Sequence, residues 1–262
     1  MIPIIMQTFN RVEYTIQVIA AIRNNILHPY QLIVVDNGSI DGTIEQLELM
    51  RKQGLIHHLV LNDKNLGIAE PKNQGLKIVD ELAKTQEIKY VCITDNDIVP
   101  PFIRDNGCAL KKITEIMDKH EYIGMCGVDL ARDNAPPNQE WWWRLRQHPL
   151  KNPTFAEIAI GFWFAVTRYE YFKDFKFNTV SLYGRVDESF RNWLTQVKKA
   201  KVGLLKGVSR KDSHGVHIET IPKLGYHLGW TEDYSKHNEY VLMKKRERFK
   251  AERIWKQQNK VW

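Results

Sequence analysis

The chain has 262 residues, 43% of them hydrophobic and 26% charged, and carries a formal net charge of +7. That composition excludes a disordered chain, and the length suffices for the core of one large or two small domains. The positive excess favours an anionic partner, whether nucleic acid, acidic lipid or a nucleotide phosphate, without choosing among them.

IPIIMQTF predicts a first strand, residues 12–24 a helix, and YQLIVVDNGS a second strand. A helix over 43–52, a short strand in IHHLVLN, a helix over 70–82 and a strand over 90–94 continue the βαβ rhythm. These strands are apolar on both faces, as expected where helices cover both sides of a mostly parallel sheet. Ligands of such sheets bind beyond the carboxyl ends of the strands. The polar loops DNGSIDGT, NDKNLG and DND fall there.

After Pro100 and Pro101 the pattern predicts a helix over 102–120 and a strand in YIGMCGVDL, then a polar loop leading into EWWWRLRQHP. EIAIGFWFAVTRYEYF reads as a further strand and turn, and DESFRNWLTQVKKA as a helix begun by Asp187. A basic helix closes the chain: residues 241–262 hold eight Lys or Arg against Glu247 and Glu252. The expected organisation is a nucleotide-binding half (1–100), an acceptor-binding and catalytic half (101–230) and a basic helical tail (231–262).

Cys92, Cys108 and Cys126 form no CxxC pair and read as reduced core residues of an intracellular protein. No apolar run approaches the roughly 20 residues that span a bilayer. The opening MIPIIMQTFNR lacks the basic start and long apolar stretch of a signal peptide. A cytoplasmic location is expected.

Asp36 ends the second strand ahead of a glycine-containing turn, where its carboxylate can accept from a base edge; the alternative is an Asx turn with Asp41 capping the next helix. Asp95 and Asp97 end the fourth strand. Acids there are costly unless something positive meets them, and alternation along an extended segment would aim both at one ligand assembly with Asn96 turned away. Hard oxygens of this kind suit Mg²⁺ or Mn²⁺, which would neutralise a departing diphosphate.

In order and spacing, MQTFNR, VVDNGSIDGT, NDKNLGIAEPKNQGL and ITDNDIVP resemble glycosyltransferase family 2, the inverting nucleotide-sugar enzymes of the GT-A fold. The resemblance implies an α/β, Rossmann-like, mostly parallel central sheet flanked by helices, with a C-terminal acceptor-binding half. It implies that Thr8 and Asn10 line the nucleotide cleft and that Asp36 binds the base. Asn65, Gly67 and Lys72 would then lie near base or diphosphate, Asp95 would contact ribose or metal, and Asp97 would ligate the metal. The donor would be UDP-, GDP- or dTDP-linked, and the metal Mn²⁺ or Mg²⁺.

In the second half, IGFWFAV, with Gly161 and Trp163, resembles the family's donor-sugar wall. YGRVDESF offers Asp187 and Glu188 where the family more often has Glu-Asp, with Val186 in a commonly acidic place. An inverting transfer needs one carboxylate to take the acceptor hydroxyl's proton, and Asp187 is expected in that role, with Glu188 the alternative. His214, His217 and His227 are candidates to complete the metal's shell, His214 by its distance from the acidic helix and His227 by a closing motif, HLGWTEDY.

Trp141, Trp142 and Trp143 cannot all point inward; beside Arg144 and Arg146 they suit a carbohydrate acceptor, or packing between halves or at a homodimer contact. The basic tail either packs on its own domain or rests on anionic lipid, which would make the protein peripheral at the inner membrane face and fit a lipid-linked acceptor. Two other functions compete. A sugar nucleotidyltransferase would begin with a Gly-rich basic phosphate loop, which MIPIIMQTFNR lacks. A nucleic-acid-binding module would fit the charge, but the acidic strand-end loops would repel phosphate without a metal, so no nucleic acid is expected.

Overall fold

The computed structural model describes residues 1–101, 108–130, 155–157, 159–177 and 186–205, with the backbone alone at 129–130, 156, 210–211, 217–218 and 224–227. Strands β1 (Ile2–Thr8), β2 (Tyr30–Asp36), β3 (His58–Leu61) and β4 (Tyr90–Asp95) alternate with helices α1 (Val12–Asn25), α2 (Thr43–Lys52) and α3 (Glu70–Leu82). There follow β5 (Ile98–Val99), α4 (Ala109–Lys119), β6 (Ile123–Gly127), β7 (Asp129–Leu130), β8 (Phe155–Glu157), β9 (Ala165–Arg168) and α5 (Glu170–Asp174). Helix α6 (Val186–Gln196), β10 (Lys201–Leu205), β11 (Arg210–Lys211), β12 (His217–Ile218) and β13 (Leu224–His227) complete the described elements.

The main sheet has eight strands in the order β3-β2-β1-β4-β9-β6-β10-β8. The pairs β3-β2, β2-β1, β1-β4 and β6-β10 are parallel, whereas β9 runs antiparallel to both β4 and β6, and β8 to β10. The sheet is therefore mostly parallel, as expected, with two reversed strands. Alternating residues face two separate cores. Ile4, Met6, Leu32, Val34 and Cys92 pack with Val18, Ile19 and Ile22 of α1 and with Ile113 and Met117 of α4. Ile5, Ile33, Val35, Val91 and Ile93 pack with Leu76 and Val79 of α3, Phe172 of α5 and Phe190 and Leu194 of α6. Helices thus cover both faces. Each helix buries the stripe its 3.6-residue period dictates; α1 buries Thr15, Val18, Ile19 and Ile22.

The three cysteines are buried and free, and burial pushes the Cys92 and Cys126 thiols upward. Among the described residues no helix is long and apolar enough to cross a membrane.

Four expectations need correction. Of the helix expected over 102–120, the described part begins at Ala109, and 102–107 lie outside the described residues. The strand expected in YIGMCGVDL is two, because β7 leaves the main sheet to pair with β13. Residues 161–164 are not strand but a bend, since Phe164 holds φ 55, outside the extended range. Helix α6 starts at Val186, one residue before Asp187. The tryptophans at 141–143 and the tail at 231–262 lie outside the described residues.

Where β2 meets β3, His57 holds Leu32 twice: its backbone N–H donates to the Leu32 carbonyl at 3.0 Å, and its ring Nδ1 accepts from the Leu32 N–H at 3.1 Å. The ring must be neutral to accept, and burial lowers its pKa. Above about pH 6.5 the ring is neutral folded or unfolded; below it the unfolded chain takes the proton more readily, so stability falls with acidity. Thermal unfolding should therefore show Tm falling between pH 7.5 and 5.5, and His57→Gln, which keeps an acceptor, should flatten that fall. An unchanged slope in the variant would contradict the assignment.

Candidate active site

The carboxyl ends of β1, β2 and β4 come level in the sheet, with Thr8 opposite Asp36 and Gln7 opposite Asp95. Asp36 is fully buried. Its Oδ2 accepts from the Gly38 and Ser39 N–H groups at 3.1 and 2.9 Å, and its Oδ1 from the Ser39 hydroxyl at 2.5 Å. Asp36 therefore folds the turn after β2 from beneath. Gly38, at φ +80, lies so close to Lys64 that a Cβ would stand 2.5 Å from the Lys64 carbonyl carbon, so the loops after β2 and β3 meet backbone to backbone.

Asn37 stitches those loops. Its Nδ2 donates to Asn65 Oδ1 at 2.9 Å and to the Gly67 carbonyl at 2.8 Å, and its Oδ1 accepts from the Leu66 N–H at 2.9 Å. Asn65 Oδ1 also accepts from the Gly67 N–H at 2.8 Å. Asn65 and Gly67 thus shape this wall through contacts with Asn37.

Thr8 is buried, its hydroxyl 3.1 Å from that of Thr15. Asn96 turns its amide inward onto Thr8, Thr15 and the Asn10 carbonyl, at 3.1, 3.0 and 3.1 Å. This capture bends the chain, so Asn96 and Asp97 form a turn between β4 and β5 rather than a continued strand. The alternation expected to aim Asp95 and Asp97 together therefore stops at Asp95, and each carboxylate meets its own cation.

Asn10 is fixed at φ 55 by its N–H donating to Ser39 Oγ at 2.7 Å and its Oδ1 accepting from the Ile40 N–H at 2.9 Å. Arg11, at φ 64, ends this left-handed pair and begins α1. Its Nη1 donates to Asp97 Oδ2 at 3.0 Å, and its guanidinium lies 5.9 Å from the Tyr14 ring centroid. Asp41, between the two helices, accepts from the Val12 N–H at 3.1 Å and from the Thr43 N–H at 3.2 Å. Burial raises the Asp41 pKa, but the bonds from Thr43 and Val12 outweigh it and hold the carboxyl below its usual range.

Lys72 is 3% exposed on the core-facing stripe of α3, an unusual place for a cation. Its Nζ donates to Gln7 Oε1 at 3.0 Å, lies 3.9 Å from Asp95 Oδ1 and stands 5.7 Å from the Phe162 ring centroid. The Asp95 side chain is 43% exposed, that of Asp97 10% and that of Arg11 32%. Among the described residues, two cations and two carboxylates thus meet in two ion pairs at this corner, with Asp95 and Arg11 the more exposed members.

Across the sheet, Asp187 sits in the first turn of α6 and its Oδ2 accepts from the Phe162 N–H at 3.2 Å. A Cβ on Gly161 would stand 2.6 Å from that oxygen and 2.9 Å from Trp163 Nε1, so any larger residue would force one of the two side chains to shift. Arg191, one turn further along α6, donates to the Ile160 carbonyl at 3.1 Å. Phe162 thus supports Asp187 through its backbone while its ring underlies Lys72. Glu188 and Trp163 are half-buried.

Strand β13 runs antiparallel to β5 with His227 opposite Ile98, the residue after Asp97. His217 pairs with Lys211 in a separate two-stranded sheet, and His214 lies outside the described residues. Among the described residues no three metal-binding side chains cluster. The donor chemistry nonetheless fits a hard divalent cation: Asp97 is a nearly buried carboxylate already facing a positive group, and the register brings an imidazole-bearing residue to its edge.

Sequence reasoning had assigned no role to Arg11, Gln7 or Asn37. A signal for Arg11 existed, since a cation at a helix N-terminus opposes the macrodipole and calls for a nearby anion.

The profile of Glycosyl transferase family 2 matches residues 4–180. An uncharacterized glycosyltransferase of Rickettsia bellii (strain RML369-C) is 27% identical over 96 residues, which is 37% of this chain and 13% of that protein. Among solved structures, residues 1–349 of S. aureus TarS in complex with UDP align with TM-score 0.54 and 17% identity over 78% of this chain and 57% of that one. The mannosyltransferase PcManGT of Pyrobaculum calidifontis, in complex with GDP-Man and Mn²⁺, aligns with TM-score 0.56 and 17% identity over 80% and 57%. The chain thus spans little over half of these solved structures and a small part of the curated relative. At such identities the likeness speaks for the architecture, which is the GT-A fold. With the profile covering most of its length, this chain belongs to glycosyltransferase family 2.

Proposed function

We propose that this chain transfers a sugar from a nucleoside diphosphate to a hydroxyl acceptor, with inversion at the anomeric carbon and dependence on a divalent cation. The observation that carries the reading is the meeting of the Arg11–Asp97 and Lys72–Asp95 pairs at the carboxyl ends of β1 and β4, in a family 2 chain. A divalent cation and a dianionic diphosphate that enter together add no net charge there. The UDP, UDP-GlcNAc and GDP-Man held by similar folds, one with Mn²⁺, support a nucleotide-sugar donor.

In this reading residues 1–100 hold the donor and 101–230 the acceptor. The turns organised by Asp36, Asn37, Asn65 and Gly67 wall the base, with Thr8 and Asn10 behind them. Lys72 faces the diphosphate and Asp95 the ribose, while Trp163 lies beside the donor sugar. Asp97 and His227 would hold Mn²⁺ or Mg²⁺, which when bound would offset charge on the departing nucleoside diphosphate. Asp187 takes the proton of the acceptor hydroxyl as its oxygen attacks the anomeric carbon from the face opposite the diphosphate. The new C–O bond forms as the old one breaks, and its electron pair leaves with the nucleotide. The Phe162 N–H holds one Asp187 oxygen so that the other can meet the acceptor. The acceptor is a carbohydrate or lipid-linked sugar.

UDP or GDP with Mn²⁺ should raise Tm by about 5–10 °C at ligand concentrations near 100 times Kd, and Asp97→Asn should abolish the rise. Undiminished stabilisation of the variant would rule out Asp97 as the metal's anchor. Asp187→Asn should keep that nucleotide-dependent rise while turnover drops about 10²–10⁴-fold; retained turnover would move the base to Glu188. Gly161→Ala, whose Cβ displaces the same carboxylate, should lower kcat roughly 10²-fold with nucleotide affinity unchanged. Lost nucleotide binding in that variant would mean that the 161–164 bend serves the donor instead.

A further inference from the structure

We infer that Arg191 is a positioning residue for the transfer: it pins the bend that follows Ile160 to α6 and so holds the Asp187 carboxylate in one orientation. The inference rests on the reading of Asp187 as the base. Residues 159–164 form no strand, yet Ile160 and Phe162 are fully buried, so their backbone groups need partners that the sheet does not supply. Helix α6 supplies them. Arg191 Nη1 donates to the Ile160 carbonyl at 3.1 Å, and Asp187 Oδ2 accepts from the Phe162 N–H at 3.2 Å.

Asp187 and Arg191 stand four residues apart, on one face of α6 and about 6 Å apart along its axis. They grip the bend at two points, one on each side of Gly161. Among the described residues no ion pair joins the two side chains, so Arg191 acts on Asp187 through the backbone of the bend rather than by direct contact. The flanking side chains fix where the bend lies but not how its peptide groups turn. Ile160 Cδ1 packs on β6, 3.1 Å from where a Cβ of Gly127 would stand, and the Phe162 ring centroid lies 5.5 Å from that of Phe177 and 5.7 Å from that of Phe190. Gly161, between them, is the residue whose peptide groups turn most freely.

Without Arg191 the peptide between Ile160 and Gly161 loses its bond from α6, and the Phe162 N–H can swing off the carboxylate. A base that has lost that N–H keeps its charge but not its direction, and a displacement of about 1 Å can slow a reaction by about 10²-fold. The effect of Arg191 should fall on kcat and leave nucleotide affinity alone, because the residues assigned to the nucleotide lie within 1–100.

Amide hydrogen exchange read by NMR, together with nucleotide release from UDP-GlcNAc and from GDP-Man in the presence of Mn²⁺, tests this. In Arg191→Met, which keeps the aliphatic stem, the Phe162 amide should exchange about ten-fold faster than in the wild type, kcat should fall about ten-fold, and the Kd of UDP or GDP should stay unchanged. Arg191→Lys, which retains a donor, should recover part of both losses. In the Asp187→Asn background Arg191→Met should cost no further turnover, because it acts through that carboxylate. A Phe162 amide as protected in Arg191→Met as in the wild type, or losses that add in the double variant, would overturn the inference and leave Asp187 standing as the base. Full turnover in Asp187→Asn would overturn the base and the inference with it. Should neither donor be turned over, the exchange rate of the Phe162 amide decides alone. Should Arg191→Met not fold, Arg191→Gln, whose shorter side chain stops short of the Ile160 carbonyl, takes its place with the same expected result.

Discussion

Strand β4 runs buried from Tyr90 to Thr94 and ends in Asp95, which Lys72 meets, and the turn that follows presents Asp97 to Arg11. A carboxylate as buried as Asp97 costs several kcal/mol without compensation, and removing one partner of such a pair costs about 3–5 kcal/mol. The two cations come from α3, which packs on β1 and β2, and from the turn that joins β1 to α1. Lys72 descends from the first turn of α3, and Arg11 leads into α1. The parallel register of β1 and β4 keeps both within reach, because Gln7, which steadies Lys72, lies opposite Asp95.

Around this charge cluster the loops are held by side-chain amides and hydroxyls rather than by regular structure. Asn37, Asn96, Asn10 and Ser39 each bond backbone groups of another loop. Such bonds contribute only about 1 kcal/mol each, but leaving a buried amide unsatisfied costs more, so the loops stay committed to one geometry. That rigidity supports the strained pair Asn10–Arg11, and strain so maintained is characteristic of sites that must present a group in one direction. Asp95 and Arg11 are the more exposed members of this otherwise buried corner.

Much of this was legible in the sequence. Doubly apolar strands alternating with amphipathic helices gave away the order of β1 to β4 and the bounds of α3. The acids of DND were recognisable because charges sit oddly at the end of a buried strand, whereas the lysine of EPKNQGL was singled out by the family resemblance alone, and its place on the core-facing stripe of α3 emerged only with the structure. The antiparallel insertion of β9 was not legible, since an apolar run carries no sign of strand direction. Nor was the bend at 161–164, whose Phe162 and Phe164 look like core strand and are indeed fully buried. The partners Arg11 to Asp97 and Asn37 to Gly67 escaped because they join residues 86 and 30 apart, where pairing follows from topology and leaves no local period.

The central claim is that the corner closed by Asp97 is built for a cation shared with a pyrophosphate. Electron–nuclear double resonance on bound Mn²⁺ reads that sharing directly, through coupling to phosphorus. With UDP or GDP present, the account predicts a ³¹P coupling of a directly coordinated phosphate in the wild type and none in Asp97→Asn. A wild-type complex that binds nucleotide with no manganese–phosphorus coupling would contradict it.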